Sequence, residues 1–146
     1  MNREEVLKST HNLDKKAFNE FVLKTSLTEI YLKNLSVELK TRKFSNPTVN
    51  LKLSQKIQAE GENFYIDTTL DLKVKDGRTI PLKIKVTYRF EYVTGYTAPS
   101  EDFLKKYADT SARMHVWPYF REIVSNLISR MGLPPLTLPV ISFIPE

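Results

Sequence analysis

Residues 80–92 read Ile-Pro-Leu-Lys-Ile-Lys-Val-Thr-Tyr-Arg-Phe-Glu-Tyr, and the alternation in this stretch decides the fold class. Ile80, Leu82, Ile84, Val86, Tyr88, Phe90 and Tyr92 fall on one face of an extended chain, and Lys83, Lys85, Thr87, Arg89 and Glu91 on the other. Successive side chains of a strand point to opposite faces, so this is a strand with one buried and one wetted side. Pro81 stands at its start, where a missing amide donor does least harm.

Toward the N-terminus the same period recurs. Asp76-Gly77 is a hairpin signal, preceded by Ile66, Leu70, Leu72 and Val74 alternating with Asp67, Thr69, Asp71 and Lys73. Gly61 and Asn63 mark a second tight hairpin. Before it, Val49, Leu51 and Leu53 alternate with Asn50, Lys52 and Ser54, and the strand continues through Ile57 to Ala59. Residues 42–47, with Asn46-Pro47, break the pattern. The first strand alternates at Leu35, Val37 and Leu39, after a denser apolar start at Ile30, Tyr31 and Leu32. Four antiparallel strands follow, joined as a meander or as a Greek key.

Helical spacing flanks the strands. Leu13, Ala17, Phe18, Phe21 and Val22 step by threes and fours, which makes residues 1–24 an N-terminal amphipathic helical extension. After Gly95, Ser100 followed by Glu101 and Asp102 has the chemistry of a helix N-terminus, and Phe103, Leu104 and Tyr107 give that helix an apolar side. Trp117, Phe120, Val124, Leu127 and Met131, widened by Ile123 and Ile128, describe a longer helix with Pro118 in its first turn. Gly132, Pro134 and Pro135 end it, and residues 136–146 read as an extended, docked tail. The expected architecture is α+β: one domain over residues 1–146, a four-stranded antiparallel sheet with helices on one face.

The 146 residues suffice for a real core, and 41% hydrophobic with 27% charged residues is ordinary for a globular domain. With no cysteine, disulfides and thiol catalysis are excluded. Residues 1–16 carry charge without a signal-peptide core, and no apolar run approaches the roughly 20 residues that span a bilayer, so a cytoplasmic protein with no membrane partner is expected.

Catalysis is not expected. The two histidines, His11 and His115, lie far apart in the sequence, and His115 keeps company with aromatic residues, as a packing histidine does. Metal ligands at workable spacing are missing, as is a glycine-rich phosphate loop, so no metal or cofactor is expected. Asp67 and Asp71 share a strand face with Thr69 and Lys73, which describes a solvated sheet face better than a carboxylate pair. The net charge of +5 and a basic face of Lys83, Lys85 and Arg89 raise nucleic-acid binding as the alternative function. It is the weaker one, because the aromatic residues of the same strand alternate onto the opposite face and cannot stack on bases among the lysines.

What remains is apolar surface beyond the needs of one thin sheet: an N-terminal stripe, a wide helical stripe and an apolar tail. Burying each large side chain contributes about 1.5–3 kcal/mol, so this surplus points to self-association or to binding other chains.

At this point the order of motifs resembles the SecB family of export chaperones. Trp117-Pro118-Tyr119 with Arg121-Glu122, then Ser129-Arg130 and Leu133-Pro134-Pro135-Leu136-Thr137-Leu138-Pro139-Val140, is similar to that family's helix and the segment after it. Residues 30–38 resemble its first strand, Pro47, Val49, Leu51 and Leu53 its second, and residues 90–95 the end of its fourth. The resemblance implies an ATP-independent holdase that binds unfolded polypeptide clients, either for export or as the dedicated chaperone of an antitoxin. It implies a homotetramer, a dimer of dimers, with strands joined across the dimer and long helices sandwiched between sheets. Trp117, Phe120, Val124, Leu127 and Ile128 would then form the oligomer interface. Phe44, Val49, Leu51, Leu53, Leu136, Leu138 and Phe143 would line client grooves, with Phe44, an aromatic residue in a turn-rich crossover, the foremost. Docking to the SecA motor does not carry over, because the family's sheet face is acidic, the matching face here is basic, and the chain ends at Glu146 without a zinc-binding tail.

Overall fold

Two tight hairpins build the centre of the sheet. The computed structural model describes residues 15–96 and 99–136. Strands β2 (Pro47–Glu60), β3 (Asn63–Asp76) and β4 (Thr79–Thr94) run antiparallel. Their turns carry Gly61 at φ 61° and Gly77 at φ 62°, a backbone region that L side chains avoid. The first strand, β1 (Thr25–Leu39), pairs antiparallel with β4, which gives the order β1-β4-β3-β2. Of the two connections the alternation allows, the chain therefore takes the Greek key, with residues 40–46 crossing the end of the sheet.

The register puts every apolar row on one face. Leu70 stands between Leu53 and Val86, and Leu72 between Leu51 and Ile84. On β1 the rows are kept by two irregularities, between Leu27 and Glu29 and between Leu32 and Asn34. These bulges bring Leu27, Ile30, Leu32, Leu35, Val37 and Leu39 opposite Tyr92, Phe90, Tyr88, Val86, Ile84 and Leu82. The dense start of the strand is thus a bulged one, and Tyr31 turns to the polar face opposite Arg89.

Residues 15–23 form a helix, α1, whose Phe18 and Phe21 are buried. Phe21 is the hub of an aromatic cluster, with Phe18, Phe64, Tyr96, Phe103 and Tyr107 all within about 6 Å between ring centroids. Helix α2 (Glu101–Tyr107) is capped by Ser100, whose hydroxyl accepts the Phe103 amide at 3.1 Å. A π-helical turn, Ala108–Ala112, leads into α3 (Arg113–Arg130), and the residues at both junctions keep right-handed helical geometry. This corrects two expectations: α3 has no fresh start, and Pro118 lies inside it rather than in a first turn. Pro118 and Met114, whose carbonyl loses its amide partner, are both exposed, so water can take the missing bond.

The end of α3 is a Schellman motif. The Leu133 amide donates to Ile128 O at 3.2 Å and Gly132 N to Ser129 O at 3.1 Å, with Gly132 at φ 67°. A β-carbon on Gly132 would stand 2.7 Å from Arg42 Nη1, so the crossover passes hard against this helix end. Val116, Trp117, Phe120, Val124 and Ile128 form the buried stripe of α3, which packs on β3 and β4.

Candidate functional site

One helix is too narrow for this sheet. Four strands about 4.8 Å apart, with their side chains, present a face nearly 20 Å wide, while a helix is roughly 10–12 Å across. On β3 and β4 the helix-side residues Ile66, Leu70, Leu72, Leu82, Ile84 and Val86 are completely covered. On the two edge strands the same rows emerge. Leu27, Leu32, Leu35 and Val37 of β1, and Val49 and Leu51 of β2, are 38–43% exposed. Two apolar strips therefore flank the helical layer, each continuous with the core.

The β2 strip deepens into a groove of about 620 Å³ between β2 and the start of the helical layer. Leu53, Ile57 and Ala59 line one wall, and Leu104 and Ala108 the other. Gln55 spans the groove, its amide donating to Ala108 O at 2.8 Å. Glu101, Asp102, Asp109, Lys105 and Arg113 supply the charged part of the lining.

The expected client-groove residues distribute around this strip. Val49 and Leu51 are exposed along it, and Leu53 is half-buried in the groove wall. Phe44, in the crossover, and Leu136, beyond the Schellman turn, are half-buried and packed against the core. Leu138 and Phe143 lie outside the described residues, as does His11. Ile57, Leu104 and the β1 strip were missed as groove residues by sequence reasoning, although Ile57 continues the alternation of Leu53.

Trp117, Phe120, Val124 and Ile128 are buried inside this single chain, Phe120 and Val124 to 0% exposure, and Leu127 is half-buried. Among the described residues the exposed large hydrophobic side chains lie on the edge strands and at Leu23, Met114 and Tyr119 of the helices.

The opposite face of the sheet is polar and of mixed charge. Arg89 donates to Asp67 through Nε at 2.7 Å and Nη2 at 2.9 Å, and Lys33, carried by the second bulge, reaches the same carboxylate at 2.7 Å. Burial pushes the Asp67 carboxyl up, but the bonds from Arg89 and Lys33 outweigh it and hold it below the ordinary carboxylate value. The Arg89 guanidinium also lies 4.1 Å from the centre of the Tyr65 ring. Of the basic face, Arg89 is thus neutralised, Lys85 is the register partner of Asp71, and Lys83 stands between Glu38 and Lys73. Tyr88, Phe90 and Tyr92 are buried under the helices, so they offer no stacking platform. His115 lies with its Nδ1 3.1 Å from the Tyr92 hydroxyl, and burial lowers its pKa. Among the described residues no three His, Asp or Glu side chains are grouped to hold a metal, and no helix is long and apolar enough to cross a membrane.

The family model described as "Preprotein translocase subunit SecB" matches residues 19–145. The chain belongs to the SecB family. A SecB-like chaperone, Rv1957 of Mycobacterium tuberculosis, is 34% identical over 70 residues, a stretch covering 48% of this chain and 39% of that protein. Over that alignment the chain spans about two fifths of the relative's length. The protein-export protein SecB of Nitrosospira multiformis is 26% identical over 136 residues, covering 81% of this chain and 77% of its own. Among solved structures, Rv1957 in complex with a ChAD peptide from the Rv1956 HigA1 antitoxin superposes with a TM-score of 0.76 at 23% identity. The match covers 84% of this chain and 94% of that one. The four-stranded antiparallel sheet with its helices is thus the fold of a SecB-family chain.

Proposed function

We propose that this SecB-family protein is an ATP-independent holdase that takes extended, apolar segments of non-native polypeptide along β2. The observation that carries this reading is the row of Val49 and Leu51, open on the same face as the buried core and leading into the groove at Leu53 and Ile57. Apolar side chains left at this exposure gain by burial against another chain, and they select for apolarity rather than for one sequence. The chemistry is mass action: a protein that binds the unfolded form postpones folding and aggregation with no covalent step. Two sources of clients are supported by the relatives, export substrates by the proteins named for protein export and an antitoxin by the Rv1957 complex.

The β1 strip supports self-association. Its Leu27, Leu32, Leu35 and Val37 form an apolar edge along a 15-residue strand, and a second copy is the covering that the family resemblance implies. A dimer of dimers would place several β2 grooves on one particle, and linked weak sites bind a long client by avidity.

The test is suppression of aggregation of a chemically unfolded client, without nucleotide, by the protein and by a Val49→Ser/Leu51→Ser double variant. Protection by the parent and its loss in a variant of unchanged mass supports the reading. Equal protection by both, or none by either, overturns it.

A further inference from the structure

The polar face of the sheet is ordered by charge along the strands. At the Asp76–Thr79 end stand five lysines, Lys52, Lys73, Lys75, Lys83 and Lys85, against two carboxylates, Glu38 and Asp71. A neutral row follows, Ser54, Thr69, Thr87 and Asn34, tied by a 2.7 Å bond between the two threonine hydroxyls. Beyond the Asp67–Arg89 row, the far end carries Glu29, Glu60 and Glu91. Each end contains a directly opposed pair of like charge: Lys73 faces Lys83, and Glu29 faces Glu91.

Like charges opposite one another on neighbouring strands destabilise a sheet, and interleaving the same residues would remove the cost. Lys73 and Lys83 are both half-buried on central strands, and among the described residues none of the five lysines is held in an ion pair. Glu38 stands opposite Lys83 on β1, but Lys73 has only Asn50 opposite it on β2, so this row carries two lysines against one carboxylate. A bound carboxylate supplies the missing charge and gains charge-assisted bonds. We propose that this end of the polar face binds an acidic, flexible polypeptide segment. Such a segment can thread its carboxylates among the lysines and past Glu38 and Asp71, and the Glu29–Glu91 end repels it, which fixes where it sits. A nucleic acid fits less well: the aromatic residues of this face, Tyr31 and Tyr65, stand in the rows beyond the neutral one, so no ring is available among the lysines. The site is separate from the β2 groove and does not depend on what that groove binds.

The experiment uses a fluorescein-labelled peptide of twelve residues rich in Glu and Asp, titrated by anisotropy against the whole protein at low and at physiological salt. Saturable binding that weakens about tenfold with salt, and at least tenfold again in Lys73→Gln/Lys83→Gln, is expected. A Lys16→Gln variant, altered at an exposed position of α1, should bind as the parent does. The double variant loses a repulsion, so its thermal midpoint should rise, which separates loss of the site from loss of the fold. Absence of binding at low salt, or binding unchanged in the double variant, overturns the proposal. Equal affinity for a single-stranded oligonucleotide of matched charge overturns it in favour of a generic polyanion site. A fall in particle mass in the double variant would instead assign the patch to contact between copies.

Discussion

Asp76 and Ser45 are joined by a 2.8 Å hydrogen bond in which the carboxylate of the β3–β4 turn accepts the backbone amide of the crossover. The second carboxylate oxygen accepts Asn46 N at 3.0 Å, so one side chain holds two consecutive amides just after Phe44. These bonds hold the Asp76 carboxyl below its ordinary value of 3.8. A depressed folded pKa means that the contribution is present at neutral pH and is lost as pH falls through that lowered value. Asp76→Ala should therefore speed amide hydrogen exchange at Ser45 and Asn46 about tenfold or more at pH 7 while leaving the β3–β4 amides protected. Asp76→Asn, with one acceptor oxygen, should fall between. Unchanged protection at those two amides would show that the crossover is held by its apolar contacts instead.

Asp67 anchors the polar face as Phe120 anchors the apolar one. Arg89→Leu leaves a half-satisfied, nearly buried carboxylate paired only with Lys33, which is itself 44% exposed. Breaking a fully buried pair costs about 3–5 kcal/mol, and the solvent reaching Lys33 reduces the expected loss here to about 1–3 kcal/mol. Because the folded pKa of Asp67 is lowered, the difference between parent and variant should be full above the ordinary carboxylate value of 3.8 and shrink as pH falls from there through the lowered one. Urea unfolding at pH 7 and pH 3 measures both.

Gly132→Ala and Gly61→Ala separate two costs of a β-carbon. Both positions have positive φ, and each substitution should cost about 1–2 kcal/mol from the backbone alone. A β-carbon at 61 meets nothing within 4 Å, but at 132 it displaces the Arg42 guanidinium. Gly132→Ala should therefore also alter exchange in residues 40–44, and Gly61→Ala should not.

Phe44→Ala addresses the client groove. The side chain is half-buried against the core, so removing it should lower stability by about 1–2 kcal/mol, less than for a fully buried phenylalanine. On the proposed function, affinity for an unfolded client should fall while the particle mass stays the same. Loss of mass and affinity together would assign Phe44 to the scaffold.

The strands were legible because each has one apolar face, and a period of two survives almost any tertiary context. The β4 pattern from Leu82 to Tyr92 is reproduced residue for residue as burial. Ser100 and Gly132 were legible too, since caps are local chemistry. The π turn at Ala108–Ala112 and the inward shift of Pro118 were not, because a helix that widens by one residue changes no hydrophobic spacing strongly enough to read. The site was half legible. Val49, Leu51 and Leu53 follow from alternation, but alternation marks a face and says nothing of how far a helix covers it. That depends on which strands lie at the edges, and hence on the Greek-key order. The family resemblance assigns the α3 stripe to an oligomer interface; within one chain Trp117, Phe120, Val124 and Ile128 already pack on the sheet, and Leu127 is half-buried.

The two bulges of β1 bear on how large an assembly can grow. An open strand edge ordinarily invites the opposite edge of the next molecule, and repeated addition of that kind makes fibres. The free edge of β2 runs through its 14 residues without a break in register, whereas β1 is interrupted near Thr28 and again near Lys33. A straight edge cannot follow an interrupted one over more than a few residues, so head-to-tail growth is poorly matched. Another β1, reversed by a two-fold axis, can meet interruption with interruption. Pairing of that kind uses up both β1 edges that take part, so this edge accepts one partner and no more.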